Sequence, residues 1–256
     1  MPDFRCSIAS LVDDEPMAGT APTDRELLLV ESPGPWGREA TSDNRLPEAV
    51  RDHLGSVGLK VLLLRRPDGS AGPGTHVFRA SATATGYDVS ATVLDRPEDL
   101  LDLDLARLSS YDAPLWLVCT NGKRDRCCAE VGRPIAGRLA RTWPEATWET
   151  THLGGHRFSG TLLALPSGIT LGRLDTDAAV EACAAVARGE VPLPWSRGRA
   201  GRPAVEQAHE LHVLAGGDPA DELVAVPGPG RRQSCGDDKV KGTTRFEVRT
   251  AVSGGG

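Results

Sequence analysis

Two blocks of cysteine and histidine within residues 115–173 constrain this chain more than any other feature. The first block, residues 119–128, reads CTNGKRDRCC and follows an apolar run at 115–118. The second block, residues 152–156, reads HLGGH and follows a β-prone run at 146–151. Each block is therefore predicted to be a loop that leaves a strand. Soft-metal ligands at two strand ends can converge, so the pattern indicates a bound metal ion or cluster.

Composition limits what else the chain can be. It has 256 residues, a hydrophobic fraction of 39% and a charged fraction of 25%, which are ordinary values for a soluble globular protein. A net charge of −6 argues against a nucleic-acid binder, because phosphate binding needs a basic surface. The sequence shows no targeting signal and no apolar run long enough to span a membrane, so we expect a cytoplasmic protein. In that compartment cysteines are better interpreted as metal or redox ligands than as disulfides.

The order of predicted elements indicates an α/β protein. Residues 113–191 read as strand, helix, strand, ligand loop, hairpin and helix, an order that suits a thioredoxin-like ferredoxin domain. A small α/β layer domain is predicted before it. The predicted divisions are an N-terminal arm at 1–24, the first domain at 25–112, the ferredoxin domain at 113–191, and a linker, helix and C-terminal strands packing on the body at 192–256.

Several local predictions concern segments near the two blocks. Gly132 and Pro134 predict that the helix after the cysteine block becomes regular near Pro134. Residues 97–108 and 177–187 are predicted to be helical, the latter capped by Asp175 or Thr176. The arm at 1–24 is expected to be extended, with Cys6 either a core thiol or a free one. Cys235 is expected in a polar loop between strands at 222–226 and 244–248.

The cysteine block can wrap a metal centre. Cys119 and Cys128 are nine positions apart, and the intervening basic residues favour thiolates by lowering the thiol pKa. A purely structural interpretation, with Cys119 as a core thiol and the Cys127–Cys128 pair incidental, is equally consistent with the cysteines alone.

The histidine block favours the metal site. His152 and His156 are separated by Gly154 and Gly155 (HLGGH), and two glycines make a regular helix unfavourable by roughly 1 kcal/mol each. A Gly-Gly loop lets both imidazoles turn inward. Two Cys and two His can hold one zinc ion, or a [2Fe–2S] cluster with Cys₂ on one iron and His₂ on the other. The cysteine spacing exceeds that of ordinary zinc knuckles and favours the cluster, but it does not decide between the two.

These blocks, together with ESPGPWG at 31–37 and the segment Arg197-Gly-Arg199, resemble the sucrase/ferredoxin-like family. The resemblance extends from about Cys6 to the block at 234–236. It implies a fold similar to thioredoxin-like ferredoxins and a [2Fe–2S] cluster bound by Cys119, Cys128, His152 and His156. The neighbouring Cys127 leaves the second thiolate ambiguous, and nine-residue spacing favours Cys128. The sequence shows no pair of carboxylates that would support a glycosidase activity.

The expected function is one-electron transfer to or from an unidentified redox partner protein, in a carrier rather than a catalyst. Neutral His ligands should raise the potential above that of plant-type ferredoxins, and an imidazole that reaches solvent could couple reduction to protonation. Two alternatives remain: a zinc-stabilised binding module on the same ligands, and a thioredoxin-like thiol enzyme, which would lack a C-x-x-C motif. Lys123, Arg124 and Arg157 form either a docking rim for the partner or a solvated loop. The roles of Cys183 and Cys235, and the oligomeric state, are not indicated by the sequence.

Overall fold

A computed structural model describes residues 4–249. Within them lie five α-helices: α1 (Cys6–Val12), α2 (Glu48–Ser56), α3 (Arg126–Thr142), α4 (Thr176–Ala187) and α5 (Ala204–Leu214). The first strands are β1 (Glu26–Glu31), β2 (Lys60–Arg65), β3 (Thr75–Ala82), β4 (Tyr87–Leu94) and β5 (Ser109–Ser110). They are followed by β6 (Leu115–Cys119), β7 (Thr147–Thr150), β8 (Leu162–Leu165), β9 (Ile169–Leu171), β10 (Ser196–Arg199), β11 (Leu223–Ser234) and β12 (Asp237–Val248). The predicted α/β class is confirmed.

Ten of these strands form one sheet, in the order β10-β9-β8-β6-β7-β2-β1-β3-β4-β5. In the first half β1 pairs parallel with β2 and antiparallel with β3, which pairs with β4. In the second half β6 pairs parallel with β7 and antiparallel with β8, which pairs with β9. The two halves therefore share one strand order and join edge to edge through the antiparallel pair β2–β7. The sheet thus continues across the predicted boundary at 112–113, and the division into domains stays a prediction.

Both faces of the sheet are covered, which explains the unbroken apolar runs of β1 and β6. On one face, Leu28 of β1 packs against α2. On that same face, Trp116 of β6 packs against α3 and α4. On the other face, one apolar cluster includes Leu27, Leu117 and Trp148 and extends across both halves. Burying each such side chain contributes about 1.5–3 kcal/mol. The core therefore fixes the ends of β6 and β7, where the cysteine block and the histidine block leave the sheet.

The predicted start of α3 near Pro134 is wrong. The helix begins at Arg126, and Pro134 lies inside it. Asp125 caps the helix, and this cap together with packing on the sheet outweighs the one hydrogen bond that an internal proline removes. By contrast, α4 begins where predicted, and Asp175 caps it by accepting from the N–H groups of residues 177 and 178.

Four other segments differ from their predictions. The arm contains α1, whose Cys6 is buried. Residues 97–108 form only a short 3₁₀ turn (Pro97–Asp102). Part of the predicted linker is the edge strand β10, paired with β9. The predicted polar loop between the last strands is itself paired, so β11 and β12 form a long hairpin with Cys235 at its turn.

In the span 4–249, none of the helices has the length and apolarity required to cross a membrane. The predicted arm and C-terminal region include residues 1–3 and 250–256, which lie outside the described residues.

Candidate metal centre

Cys119 and Cys128 lie at the two ends of one short loop. Cys119 is the last residue of β6, Cys128 lies in the first turn of α3, and both are buried. The carboxylate of Asp125 caps the helix by accepting a hydrogen bond from the N–H of Cys127 at 3.1 Å. Gly132 allows α3 to pack closely on β6, because a Cβ there would lie 2.1 Å from the carbonyl oxygen of Cys119. Helix and strand are thereby held at the distance that brings the two thiols together.

The histidine loop follows β7. Gly154 and Gly155 have φ angles of 78° and 68°, in the left-handed region that glycine adopts without strain. The resulting turn brings Nδ1 of His156 to 3.4 Å from Nε2 of His152. Nε2 of His156 lies 3.8 Å from the carboxylate of Asp125. The loop therefore directs both imidazoles toward the first turn of α3.

The ligand atoms of Cys119, Cys128 and His152 all lie within 4.8 Å of one another. His156 lies beside His152, with 5.0 Å between ring centroids. We call these four residues the histidine cluster. The four residues predicted as ligands are thus neighbours, while their role as ligands stays a prediction.

The donor set of the histidine cluster fits a metal centre. Nδ1 of His152 is buried and has no hydrogen-bond partner among residues 4–249. Nine buried side-chain polar atoms of residues 4–249 are unpaired, and this nitrogen is the one among them whose lone pair a metal ion beside Cys119 and Cys128 would satisfy. Two sulfurs and two imidazole nitrogens fit the Cys₂His₂ form of a [2Fe–2S] cluster, and they also fit one zinc ion.

The electrostatic environment favours the metal-binding protonation states of Cys119 and His156. The pKa of the Cys119 thiol lies well below its ordinary value, because the neighbouring Cys128 thiol and then His152 stabilise the thiolate. Burial lowers the pKa of His156 to about 4, although Asp125 opposes this shift. At neutral pH His156 is therefore uncharged and its lone pair is available, as metal binding requires.

Arg197 is a buried cation next to the histidine loop, and its burial was not predicted from the sequence. It is 1% exposed. Its guanidinium donates to the carbonyl of Gly154 at 3.1 Å, to the hydroxyl of Thr20 at 3.1 Å and to the carbonyl of Thr20. Burial lowers its pKa to about 9, while the charges of Cys119 and Cys128 oppose that shift. Because it lay in a segment predicted to be a linker, its burial could not be expected from the local sequence.

Cys127 does not face the histidine cluster. Its Sγ lies 3.2 Å from Sγ of Cys235, which lies 3.6 Å from Sγ of Cys6. Sγ of Cys6 lies 3.5 Å from Oδ1 of Asp125. We call Cys6, Cys127, Cys235 and Asp125 the three-cysteine cluster. Consecutive residues project about 100° apart on a helix, which is why Cys127 and Cys128 point into different clusters.

Cys183 belongs to neither cluster. It lies on α4, fully buried among the apolar side chains between this helix and the sheet. Burial raises the pKa of its thiol to about 12. Cys183 is therefore a core thiol.

A protein-family model described as sucrase/ferredoxin-like matches residues 17–198, most of the chain. The chain belongs to the sucrase/ferredoxin-like family. No curated protein and no solved structure matches it significantly.

The family match contains the whole histidine cluster and Arg197. It excludes Cys6 and Cys235, so the match is narrower than the predicted resemblance, and two of the three thiols in the three-cysteine cluster lie outside the matched residues. The convergence of the three cysteines was not predicted, because Cys6 and Cys235 are 229 positions apart and no local pattern links them. The turn of the β11–β12 hairpin carries Cys235 to Cys6 at the start of α1.

The basic residues considered as a docking rim differ in their contacts. Lys123 is exposed. Arg124 forms an ion pair with Glu39 at 2.7 Å, and Arg157 forms one with the buried Glu15 at 2.6 Å. Two of the three cations are therefore neutralised within the chain, and the docking role stays a prediction.

Proposed function

We propose that this protein is a one-electron carrier whose [2Fe–2S] cluster is bound by Cys119, Cys128, His152 and His156. The observation that supports this most directly is the convergence of two thiols and two imidazoles, with one imidazole nitrogen buried and unpaired within the described residues 4–249. When bound, such a cluster accepts and releases a single electron. Family membership is consistent with this function.

The side-chain directions on α3 support Cys128 as the second thiolate. Cys128 shares a group with Cys119 and His152, whereas Cys127 shares one with Cys6 and Cys235. This arrangement agrees with the nine-residue spacing that the family resemblance implies.

The sheet supports a thioredoxin-like placement of the site. Cys119 ends β6, and the histidine loop follows β7, which runs parallel to β6. Because parallel strands end at the same edge of a sheet, the residues that follow β6 and β7 are neighbours as a consequence of the strand pairing itself. The strands lie in the order β7-β6-β8-β9. Helix α3 connects β6 to β7, and α4 follows β9. This order of elements supports the thioredoxin-like assignment.

The residues of this chain favour a potential above that of plant-type ferredoxins. Neutral His ligands carry less negative charge than thiolates. Arg197 adds a buried positive charge near the thiols, and it stabilises the state with the extra electron.

His156 is the residue best placed to couple reduction to protonation. Its side chain is 20% exposed, and its Nε2 lies 3.8 Å from the Asp125 carboxylate. An added electron makes a proton on the imidazole more favourable. The potential should therefore fall as pH rises, with a limiting slope of about 59 mV per pH unit for one proton and one electron.

Anaerobic reconstitution with iron and sulfide tests the proposal. We expect a coloured protein with two irons and two labile sulfides per chain, and a rhombic EPR signal after reduction. A colourless protein would refute the cluster. A potential that is flat from about pH 6 to pH 10 would remove proton coupling alone.

A structural zinc module is the second candidate, because three ligand atoms within 4.8 Å would also suit one ion. It predicts zinc in the histidine cluster and no labile sulfide. Metal analysis of wild type and His152→Ala separates the candidates, because only this one predicts that the substitution removes zinc. The thiol-enzyme alternative predicts reductase activity that survives His152→Ala and is lost in Cys119→Ala.

A further inference from the structure

We propose that the three-cysteine cluster is a second metal site, which binds one zinc ion through the thiolates of Cys6, Cys127 and Cys235 and the carboxylate of Asp125. The inference is independent of the proposed function, because it uses none of the four residues assigned to the [2Fe–2S] cluster. It also uses two residues outside the family match.

The distances fit one tetrahedral ion. With a Zn–S bond of about 2.3 Å, two thiolates on the same zinc are about 3.7 Å apart, and a thiolate and a carboxylate oxygen about 3.6 Å apart. The corresponding separations here are 3.2 Å for Cys127–Cys235, 3.6 Å for Cys235–Cys6 and 3.5 Å for Cys6–Asp125. All four ligand atoms lie within 4.8 Å of one another. Four ligands at these separations can bind the ion with only small side-chain movements.

The four groups of the cluster are negatively charged when deprotonated, and together they would favour a bound cation. Cys6, Cys127 and Asp125 are buried, with exposures of 1%, 1% and 3%, and Cys235 is half-buried. If all three thiols lose their protons, the thiolates and the carboxylate repel one another at this depth, and each pays a desolvation cost. A thiophilic divalent cation offsets both costs, and zinc is the metal that prefers thiolates in a tetrahedral arrangement.

The groups around the sulfurs are those that support metal thiolates. The hydroxyl of Ser7 donates to Sγ of Cys127 at 3.2 Å, and the N–H of Cys6 donates to Sγ of Cys235 at 3.4 Å. The other carboxylate oxygen of Asp125 accepts from the hydroxyl of Ser234 and the N–H of Cys235, both at 2.9 Å. Such hydrogen bonds orient metal ligands and moderate their charge.

The zinc would join three distant parts of the chain. Cys6 begins α1, Cys127 lies in the first turn of α3, and Cys235 occupies the turn of the β11–β12 hairpin. The hairpin forms a sheet of its own, separate from the ten-stranded sheet. A metal bound here would therefore attach the hairpin and the N-terminal helix to the helix that carries Cys128.

Metal analysis of the full-length protein, purified from cells and dialysed against EDTA, tests the site. We expect about one zinc per chain in wild type, a loss of that zinc in Cys235→Ser and Cys6→Ser, and an unchanged iron content in both variants. Cys183→Ser, a change in another buried thiol, is the matched control and should keep both metals. Because Cys235 lies at a half-exposed turn, its variant should fold, and circular dichroism checks this.

The outcomes separate this site from the histidine cluster. Zinc that is lost in Cys235→Ser from a protein that never binds iron would refute the [2Fe–2S] cluster and support the zinc site. A coloured protein without zinc, with the three thiols free or with Cys127 and Cys235 in a disulfide, would overturn the zinc site and leave the [2Fe–2S] cluster standing. Iron lost in Cys235→Ser would also overturn it.

Discussion

The two clusters share one turn of α3, but the chain assembles them in different ways. The histidine cluster comes from residues 119–156, at the ends of two adjacent parallel strands. The three-cysteine cluster takes its thiols from positions 6, 127 and 235. The first cluster is in place once the sheet and α3 have formed, because the end of β6, the start of α3 and the loop after β7 carry its residues. The second additionally requires the N-terminal helix and the C-terminal hairpin to dock on the body.

The largest effect that tests this comparison is expected when each of the two adjacent cysteines of α3 is replaced in turn. We expect Cys128→Ser to abolish the visible absorption of the reconstituted protein and to keep zinc. Cys127→Ser should keep the absorption and lose zinc. Absorption spectra and metal analysis measure both. If Cys127→Ser were the colourless variant, the assignment of the two thiols to the two clusters would be reversed.

The next largest effect is expected at Arg197, which contacts the histidine loop. Arg197→Met leaves the carbonyls of Gly154 and Thr20 without their buried donor, and we expect it to lower the free energy of unfolding by about 4 kcal/mol. It should also lower the reduction potential, because the buried positive charge is lost.

Arg199→Met on the same strand is the control for that prediction. Arg199 is paired with Glu210 at 2.7 Å, and its loss should destabilise the fold without altering the potential. Urea unfolding and potentiometric titration provide the two measurements. Equal potentials in the two variants would show that the charge of Arg197 does not act on the cluster.

A smaller effect is expected from the glycines of the histidine loop, which provide their own matched control. A Cβ at Gly155 would lie 2.3 Å from Nη2 of Arg197, whereas a Cβ at Gly154 would have no atom of residues 4–249 within 4 Å. Both have positive φ. We expect Gly154→Ala to cost about 1 kcal/mol and Gly155→Ala about 3 kcal/mol, because only the second adds overpacking to backbone strain. Thermal unfolding measures the difference, and equal losses would contradict the close approach of Arg197.

An effect smaller than that of Gly155→Ala concerns pH and the metal-free protein. The pKa of His156 is lowered to about 4 in the folded chain, below the value of about 6.5 for an unfolded one. As pH falls, His156 is therefore protonated in the unfolded chain before it is protonated in the folded chain. The stability that the neutral His156 contributes is complete above about pH 6.5 and is lost as pH falls toward 4. We expect a loss of about 2 kcal/mol between about pH 7 and pH 4.5, after allowance for partial exposure.

His156→Gln supplies the reference for the pH measurement. The difference in free energy of unfolding between wild type and this variant, measured by urea titration at each pH, should show the loss. A difference that does not change with pH would mean that His156 is protonated equally in the folded and unfolded chains.

The sequence predicts the parts of the fold that depend on local patterns. The apolar runs of β1 and β6, the Gly-containing hairpin of β8 and β9, and the Asp175 cap of α4 each carry their signal within a few residues. The convergence of the two ligand blocks also follows from local reasoning, because each block follows a strand.

The parts that the sequence does not predict depend on contacts between distant residues. Pro134 obscures a helix whose start is decided by the Asp125 cap and by Gly132 packing against Cys119. The prolines and glycines of β11 indicate a loop, yet pairing with β12 outweighs them. Arg197 is buried because Thr20 and Gly154 accept its hydrogen bonds, and neither residue is near it in sequence.

The adjacency of Cys127 and Cys128 has a thermodynamic consequence. A metal bound to one thiolate restricts the backbone of the other, and Asp125 contacts Cys6 on one side and His156 on the other. If both clusters bind their metals, the two affinities are then linked. Because such linkage is reciprocal, any factor by which zinc changes the binding of the [2Fe–2S] cluster must equal the factor by which that cluster changes the binding of zinc.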